Sequence, residues 1–425
     1  MLELRYIREN AEAVRRAIRA KQLPDAVASL DAVLVADEHR RLLRGDLESL
    51  QARRNAASRE IGARKQRGDD ADDLMREMSE VAAEVKRLEE RDTSLAGQIA
   101  LHLLEIPNVP HESVPYGASE HDNVVEAEHG ERRVDADLLP HWELAERSRW
   151  FDLEAGVTLT GAGFPVFKGV GARLVRGLAA FFLDRLAAQG YEEVLPPLLV
   201  NAASATATGQ LPDKEGQMYE VTGGYYLIPT SEVSVTNLHR DQILDDDALP
   251  LRYCAYTPCF RREAGSYGKD VRGLNRVHQF DKVEMVQFTR PEDSYDALEA
   301  MTRTAEGLLE ALGLPYRRLL MCTGDMGFTQ AKKYDLEVWS PGQARWLEVS
   351  SISNMEAFQA TRLATRSRPG GSDGRGKTRS VHTLNGSALA FPRTIAALLE
   401  TYQQGDGSVL LPEVLRGYVG TDVLR

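Results

Sequence analysis

Apolar residues recur at helical spacing along most of the first hundred positions. From about Asp31 to Ile106 the chain contains no proline and few glycines, which favours helix throughout. In the second half of this stretch, alternating four- and three-residue steps, broken at Asp92, connect Leu74, Met78, Val81, Val85, Leu88, Leu95 and Ile99. A less regular version of the rhythm in the first half connects Leu43, Leu47, Leu50, Ala57 and Ile61. The repeat is typical of a coiled-coil seam.

The segment Arg67–Asp73 (RGDDADD) separates the two halves. Gly68 suits the end of one helix, because glycine readily adopts the left-handed conformation there, and the aspartates suit the start of the next. We therefore predict a long antiparallel helical hairpin over about residues 31–100, with arms of about 35–38 residues, or roughly 50–60 Å. A separate helix is predicted from Ile7 to Ala20. The N-terminal domain is predicted to span residues 1–106.

The distal part of this hairpin is basic. Its cations, set against the single acid Glu60, are Arg53, Arg54, Arg59, Arg64, Lys65 and Arg67. A solvated helix face would have this composition. A surface that contacts a phosphate backbone would have it too. The hairpin alone does not decide between these two interpretations.

Residues 107–140 lose the helical pattern and are rich in proline, histidine and acidic residues, which predicts a linker to a second domain over residues 141–425. Within that domain, helices are predicted over 170–188 and 294–312. A strand over Tyr191–Val200 contains Pro196 and Pro197, which belong at a sheet edge or a kink. A further strand over Tyr225–Glu232 leads into a helix.

Two strand-like runs, Tyr253–Glu263 and Arg276–Phe288, flank a loop that is rich in glycine and basic residues such as Lys269. Because side chains alternate between the faces of a strand, Phe280, Lys282 and Glu284 share one face, while Val283 and Met285 point to the other. A sheet with one apolar face and one aromatic and charged face is half core and half binding surface. One ligand could place a flat ring near Phe280 and a polar end near Glu284.

Two segments near the C-terminus complete the pattern. A hairpin is predicted from Tyr334–Trp339 and Arg345–Asn354, around Pro341 and Gly342. Pro392 then suits the first turn of a helix, which places Arg393 at the positive end of the helix dipole. A cation there needs either a carboxylate partner or a bound anion such as a phosphate.

Composition limits the classes of function. The net charge is −12, so no general basic field indicates nucleic-acid binding, and an RNA partner would need a local basic patch. Cys254, Cys259 and Cys322 are too few and wrongly spaced for a zinc knuckle or a disulfide framework. No secretory segment is recognisable, and no apolar run approaches the roughly 18 residues of a membrane span. These features predict a cytoplasmic protein without a membrane partner.

Three segments resemble the signature motifs of class II aminoacyl-tRNA synthetases. Gly190–Leu199 resembles motif 1, Phe260–Glu263 with the loop through His278–Phe280 resembles motif 2, and Gly386–Arg393 resembles motif 3. The order FRREAGSYGKDVRGL, HQFDKVE, CTGDMGF and HTLNGSALA is similar to that of bacterial-type seryl-tRNA synthetases, and the likeness covers essentially the whole chain. It implies an α+β fold, with an antiparallel β-sheet flanked by helices and preceded by an antiparallel coiled-coil arm.

The resemblance also implies the chemistry: serine is activated with ATP to seryl-adenylate and then transferred to the 3′ end of tRNA(Ser). In this family tRNA(Sec) is a further possible acceptor. Catalysis would consist of positioning and of neutralising phosphate charge, chiefly by Arg261 and Arg393. By resemblance the ATP-binding residues are Arg261, Arg262, Glu263, Val277, Phe280, Glu348, Val349, Ser350, Ser351 and Arg393. The serine-binding residues are Thr230, Ser231, Glu232, Arg261, Glu284, Asn385 and Ser387.

By the same resemblance, Glu348 and Ser351 hold Mg²⁺ and no zinc is expected. The hairpin binds the long variable arm of tRNA(Ser) through its basic residues, the catalytic domain receives the acceptor end, and motif 1 joins a homodimer. Arg262 departs from the pattern, since a serine is usual there. Three other functions remain open at this point: a specialised or resistance paralogue, a ligase that loads an amino acid onto a carrier protein, and a non-catalytic RNA-binding paralogue.

Overall fold

The computed structural model describes residues 1–135, 137–264 and 272–425. Lys269, which we placed in a basic loop, lies outside the described residues. The chain divides into two compact units, Met1–Pro107 and Asn108–Arg425. Across the described ranges, no helix is both long and apolar enough to cross a membrane.

The first unit is helical, and its helices are α1 (Leu4–Glu9), α2 (Ala11–Ala20), α3 (Ala26–Arg67) and α4 (Asp72–Leu103). The predicted single helix over 7–20 is wrong, because the chain breaks at Asn10, which has φ −130° and separates α1 from α2. The hairpin arms are 42 and 32 residues long and therefore less equal than predicted. The first arm is longer because Leu30 and Val33 extend its buried stripe toward the N-terminus.

The seam of the hairpin follows the predicted repeat. Its buried members in α4 are Met78, Val81, Val85, Leu88, Leu95 and Ile99. Asp92, which interrupts the repeat, accepts hydrogen bonds from Arg40 Nε at 2.8 Å and Arg44 Nε at 3.0 Å across the hairpin. These hydrogen bonds lower the pKa of Asp92 to about 2. Gly68 has φ +75° and ends α3, as predicted.

The second unit contains shorter helices and many strands. Its helices are α5 (His141–Ser148), α6 (Leu153–Leu159), α7 (Val170–Ala187), α8 (Ala202–Thr208), α9 (Glu232–Thr236), α10 (Ser294–Ala311), α11 (Ala357–Leu363), α12 (Phe391–Tyr402) and α13 (Glu413–Val419). Its strands are β1 (Val124–His129), β2 (Phe151–Asp152), β3 (Val166–Phe167), β4 (Glu192–Glu193), β5 (Leu199–Asn201), β6 (Tyr219–Val221), β7 (Tyr225–Leu227), β8 (Ile243–Asp245), β9 (Leu251–Phe260), β10 (Gln279–Thr289), β11 (Tyr316–Leu320), β12 (Lys332–Ser340), β13 (Arg345–Asn354), β14 (Arg366–Arg368), β15 (Arg379–Ser380), β16 (His382–Ala390), β17 (Val409–Leu410) and β18 (Val423–Leu424).

Among the described residues, eight strands form the main sheet in the order β1-β11-β12-β13-β16-β10-β9-β4. Neighbouring strands are antiparallel, except that β4 runs parallel to β9. Helices α7, α10 and α12 pack on the sheet and share one hydrophobic core with it, which contains Val283 and Met285 of β10. The opposite face of β10 carries Lys282 and Glu284, as the alternation predicted, and further along the strand Val286 and Phe288 pack in a second, smaller core.

Three predicted elements need correction. The strand over Tyr191–Val200 is divided: β4 joins the main sheet and β5 joins a separate sheet with β7, because Pro196 and Pro197 cannot donate ladder hydrogen bonds. The predicted linker over 107–140 contains β1, an exposed edge strand that pairs with β11. Because β1 has no buried face, its sequence lacks the alternation of apolar residues that would have predicted a strand. The strand runs around motif 2 are shorter than predicted, so Arg261 and Arg276 lie beyond the strand ends.

Strand β16 contains a bulge just before α12. Opposite β10, Ser387 pairs with Glu284 and Ala390 pairs with Lys282, so β16 has one residue more than its partner in this interval. Leu389 is buried within the bulge with φ +70°, a conformation that branched side chains rarely adopt. The bulge lies directly before α12 and therefore determines the direction in which this helix, with Arg393 near its start, leaves the sheet.

Candidate active site

A cavity of about 460 Å³ opens on the polar face of the main sheet, over β10, β13 and β16. Most of the predicted site residues line it: Thr230, Glu232, Arg261, Glu263, Val277, Phe280, Glu284, Glu348, Val349, Ser350, Ser351, Asn385, Ser387 and Arg393. They come from segments more than 160 positions apart in the chain. The fold therefore brings motifs 2 and 3 to one place.

At one end of the cavity lies a buried cluster of charges. Lys282 Nζ contacts Glu284 Oε2 at 2.5 Å, and both side chains are almost inaccessible. Ser387 Oγ donates a hydrogen bond to the same Glu284 oxygen at 3.1 Å, across the β10–β16 pair. Because one carboxylate oxygen accepts both contacts, Glu284 has further capacity to accept a hydrogen bond from a ligand.

Glu232 is the second carboxylate of this end. Gln359 Nε2 donates to its Oε1 at 2.7 Å, and Gln359 Oε1 accepts from Thr383 Oγ1 at 2.8 Å, so the amide orientation is fixed. Burial, and then repulsion from Glu284, raise the pKa of Glu232 to about 7. A compact cation near these two carboxylates would be favoured strongly, because it would relieve that repulsion.

Arg261 lines the cavity beside Phe280. Its guanidinium carbon is 5.2 Å from the centre of the Phe280 ring, and its backbone N–H donates to His278 O at 2.9 Å. Beside it, Glu263 has φ +47° and forms an ion pair with Arg276 Nη1 at 3.2 Å. The arrangement offers an aromatic face next to a fixed cation, which suits a flat ring joined to an anion.

Arg393 lines the cavity from the first turn of α12. Its Nε donates to Asn275 O and its Nη1 donates to Glu348 O, both at 2.9 Å. The carboxylate of Glu348 is 3.8 Å from the same Nη1. The cation therefore has two carbonyl partners and a loosely held carboxylate, and it remains 26% exposed to the cavity.

Glu348 and Ser351 have the oxygen donors that a hard cation such as Mg²⁺ prefers. The side chain of Glu348 is 45% exposed, so the loss of solvation that acts to raise its pKa is outweighed by Lys333 and Arg393, which bring the pKa below its ordinary value and keep the carboxylate ionised near neutral pH. Ser351 Oγ donates to Asp335 Oδ1 at 2.7 Å, which leaves its lone pairs available. The two residues fit a cation that keeps water or phosphate as its other ligands. Within the described residues, no three histidine, cysteine, aspartate or glutamate side chains are grouped to hold an ion.

Two predicted site residues lie outside this cavity. Arg262 lines a separate surface depression with Tyr219 and Tyr226. Ser231 is fully buried, and its hydroxyl has no hydrogen-bond partner among the described residues. Their neighbours Arg261 and Glu232 line the cavity, whereas these two residues, assigned by resemblance, do not.

Other residues of the site were missed. Lys282 had a signal, because it shares the strand face of Phe280 and Glu284. Asn275 and Arg276 line the cavity from the loop before β10, where no periodicity applies. Gln359 reaches Glu232 from α11 across 127 positions, a contact that no local pattern predicts.

The basic residues of the hairpin form two sets. Arg53, Arg64 and Arg67 are paired, with Glu77, Glu60 and Asp69 respectively. The other set consists of Arg54, Arg59 and Lys65, whose side chains have no ion-pair or hydrogen-bond partner in the described part of the chain. These three exposed cations are therefore the ones available to an anionic partner.

Comparisons with known proteins agree with this arrangement. Residues 219–402 match the class II core domain of tRNA synthetases for G, H, P, S and T, and residues 1–110 match the seryl-tRNA synthetase N-terminal domain. The serine–tRNA ligase of Salinibacter ruber is 54% identical over 99% of this chain and 98% of its own length. That of Caldanaerobacter subterraneus subsp. tengcongensis is 50% identical over 100% and 99%. The crystal structure of seryl-tRNA synthetase from Pyrococcus horikoshii complexed with ATP is 36% identical, with a TM-score of 0.94 over 100% of this chain and 99% of that one.

Proposed function

This chain belongs to the seryl-tRNA synthetase family, and from that premise we propose how its cavity performs serine–tRNA ligation. The observation that carries the proposal is the pairing of two ends within one cavity. One end has the buried carboxylates Glu232 and Glu284, which suit the ammonium and hydroxyl of serine. The other has Arg261, Phe280 and Arg393, which suit the ring and phosphates of ATP.

The reaction has two steps. A carboxylate oxygen of serine bonds to the α-phosphorus of ATP, while the bond from that phosphorus to the bridging oxygen of the β-phosphate breaks and pyrophosphate leaves. A ribose hydroxyl at the 3′ end of the tRNA then attacks the carbonyl carbon of seryl-adenylate, and AMP leaves. Neither step requires a nucleophilic side chain, so the protein contributes position and charge.

At the ATP end, Arg261 neutralises charge on the α-phosphate and orients the serine carboxylate. Phe280 provides the face on which adenine stacks, Glu263 accepts from the adenine amino group, and Arg393 reaches the terminal phosphate. Val277, Val349 and Ser350 shape this end. Glu348 and Ser351 would hold Mg²⁺, which when bound neutralises phosphate charge in the transition state.

At the serine end, Glu232 and Glu284 hold the ammonium and the hydroxyl, with Thr230, Asn385 and Ser387 around them. Discrimination against alanine follows because its methyl group would leave a buried acceptor unpaired. That penalty exceeds the loss of one apolar contact. Arg262 and Ser231 are left out of this assignment because they do not line the cavity.

The partners follow the same logic. Residues 1–106 would bind tRNA(Ser), with the hairpin on its long variable arm, and residues 141–425 would receive the acceptor end; charging of tRNA(Sec) stays a prediction. Motif 1 would join a homodimer, and Leu195 of that motif, 87% exposed beside two prolines, supports a packing surface there. A cytoplasmic location remains a prediction.

The test of the function is serine-dependent exchange between ATP and labelled pyrophosphate, followed by charging of total tRNA. We expect exchange with serine, much weaker exchange with alanine, threonine and cysteine, and charging of serine tRNA. Exchange without charging would instead indicate a ligase for another acceptor such as a carrier protein. No exchange with any amino acid would contradict the proposed function.

The raised pKa of Glu232 predicts a pH dependence in serine binding. Below its pKa of about 7 the side chain becomes neutral and loses its attraction for the serine ammonium. The KM for serine should therefore rise about tenfold from pH 8 to pH 6, while the KM for ATP changes little. Exchange kinetics across this range measure both constants.

The control for this prediction is Glu232→Gln, which should raise the serine KM and remove its pH dependence. The raised pKa of Glu232 can also be checked without substrate, from the pH dependence of the stability of the protein. Because burial raises the folded-state pKa above the unfolded value near 4.5, Glu232 costs stability above pH 7, and this cost disappears as the pH falls toward 4.5. A serine KM that is constant from pH 6 to pH 8 would contradict the assignment.

A further inference from the structure

We propose that His141 is a positioning residue that fixes the end of the motif 2 loop, residues 272–278, against α12 and thereby sets the ATP end of the cavity. This inference rests on the proposed function only for its kinetic readout. His141 does not line the cavity. It begins α5, and its side chain is completely inaccessible.

The ring nitrogens of His141 have different partners. Nε2 accepts a hydrogen bond from the backbone N–H of Leu274 at 2.8 Å. Because a backbone N–H can only donate, Nε2 has no proton in this arrangement, and the proton lies on Nδ1. Nδ1 donates to Glu400 Oε1 at 2.8 Å. The imidazole thus connects the loop end to a carboxylate on α12.

Glu400 is a fixed anchor for this connection. Its Oε1 also accepts from His141 N and from Gln343 Nε2, both at 3.0 Å. Its Oε2 accepts from Ser340 Oγ and, at 3.1 Å, from Gly342 N. A fully buried carboxylate with donors on both oxygens is held in one orientation, so it can orient the imidazole in turn.

The loop end continues directly into the cavity. Asn275 follows Leu274, and its carbonyl accepts from Arg393 Nε at 2.9 Å. Its side-chain Nδ2 donates to Gln343 Oε1 at 2.8 Å, and Gln343 in turn donates to Glu400. Displacing Leu274 would therefore move a contact of Arg393, which lies on the helix that also carries Glu400.

Gly273 shows how closely the loop lies on the ring. It has φ +63°, and a Cβ added to it would lie 2.2 Å from His141 Nε2. A side chain at this position would separate Leu274 from the imidazole. The glycine therefore permits both the backbone conformation and the close approach that the hydrogen bond requires.

The kinetic test is His141→Asn compared with His141→Gln. An asparagine amide reaches Glu400 but not Leu274, whereas a glutamine oxygen can take the place of Nε2. We expect His141→Asn to raise the KM for ATP about tenfold, as for one lost buried hydrogen bond, with the serine KM nearly unchanged, and His141→Gln to recover part of the loss. His382→Asn is the control, because it removes a half-buried histidine that does not line the cavity.

A second readout is independent of activity. Amide hydrogen exchange in a peptide covering 272–278 should be faster in His141→Asn than in wild type, and unchanged in His382→Asn. If His141→Asn fails to fold, Gly273→Ala tests the same contact from the loop side and should give the same selective rise in the KM for ATP. Equal changes in both KM values, or unchanged exchange at 272–278, would overturn the proposal. Absence of serine-dependent pyrophosphate exchange in the wild type would contradict the proposed function and leave the hydrogen-exchange test standing.

Discussion

Arg261→Ala is expected to lower serine-dependent pyrophosphate exchange by about 10²- to 10³-fold, the range for a lost donor at a developing charge. Its guanidinium is the cation that lies over the ring of Phe280 in the cavity that also contains the carboxylates of the serine end. Without it, the negative carboxylate of serine and the α-phosphate would approach each other with less compensating charge. The loss should appear mainly in kcat, because the charge is concentrated in the transition state.

The fold should tolerate this change. Among the described residues, the side chain of Arg261 makes one long hydrogen bond, to Pro229 O at 3.4 Å, and its backbone contact to His278 remains in the variant. Arg262→Ala is the matched control, since it removes the same side chain from the next position, which is exposed outside the cavity. Near wild-type exchange in Arg261→Ala, or an equal loss in Arg262→Ala, would refute the role given to Arg261. Thermal unfolding of both variants verifies that each is folded.

Removal of the distal hairpin is expected to separate the two steps of the reaction. A variant that lacks residues 49–86, closed by a short glycine-serine linker, keeps the hydrogen bonds of Arg40 and Arg44 to Asp92. Because the two arms of a packed hairpin lie about 8–10 Å apart, such a linker spans them. Pyrophosphate exchange should stay within about twofold of wild type, while kcat/KM for tRNA charging falls by about 10²-fold or more as phosphate contacts are lost. Equal loss of both activities would show that the hairpin is structural.

A finer variant tests which cations make these contacts. Arg54→Gln, Arg59→Gln and Lys65→Gln together remove the cations without partners, and they should weaken tRNA binding and make it less dependent on salt. The matched control removes the same charge from arginines that are already paired and consists of Arg53→Gln, Arg64→Gln and Arg67→Gln. The first set should lower the slope of log affinity against log salt by about 2–3, at 0.7–0.9 per phosphate contact, and the second by clearly less. Equal slopes for the two sets would contradict this assignment.

Local patterns predicted the elements whose burial depends on one repeating face. The hairpin seam and the alternation of Phe280, Lys282 and Glu284 along β10 are of this kind, because both repeat with the period of their element. The resemblance to a known family added the residues at the ends of loops, where no period applies. Arg261 and Arg393, which the resemblance assigned to the ATP site, both line the cavity.

The cavity differs from the predicted site at residues whose position depends on the tertiary fold. Arg262 was assigned to the ATP site by resemblance, but consecutive side chains in an extended chain point in opposite directions, and Arg262 lines a different depression from Arg261. Gln359 and His141 were not found because each acts through a partner more than 120 positions away in the chain. Such residues reach the site only after the sheet has formed, so their role is visible in the fold and not in the sequence.

Because of the bulge at Leu389, the number of residues in β16 determines the direction in which the side chains at the start of α12 point. Each residue of an α-helix turns by about 100°, so a chain shortened by Leu389 would lose its left-handed residue but rotate Arg393 away from the cavity, unless the strand slid along its neighbours. Sliding would in turn move Ser387 away from Glu284. A single substitution in this segment leaves the register unchanged. A single insertion or deletion, in contrast, should move Arg393 at the ATP end out of its position relative to Ser387 and Glu284 at the serine end.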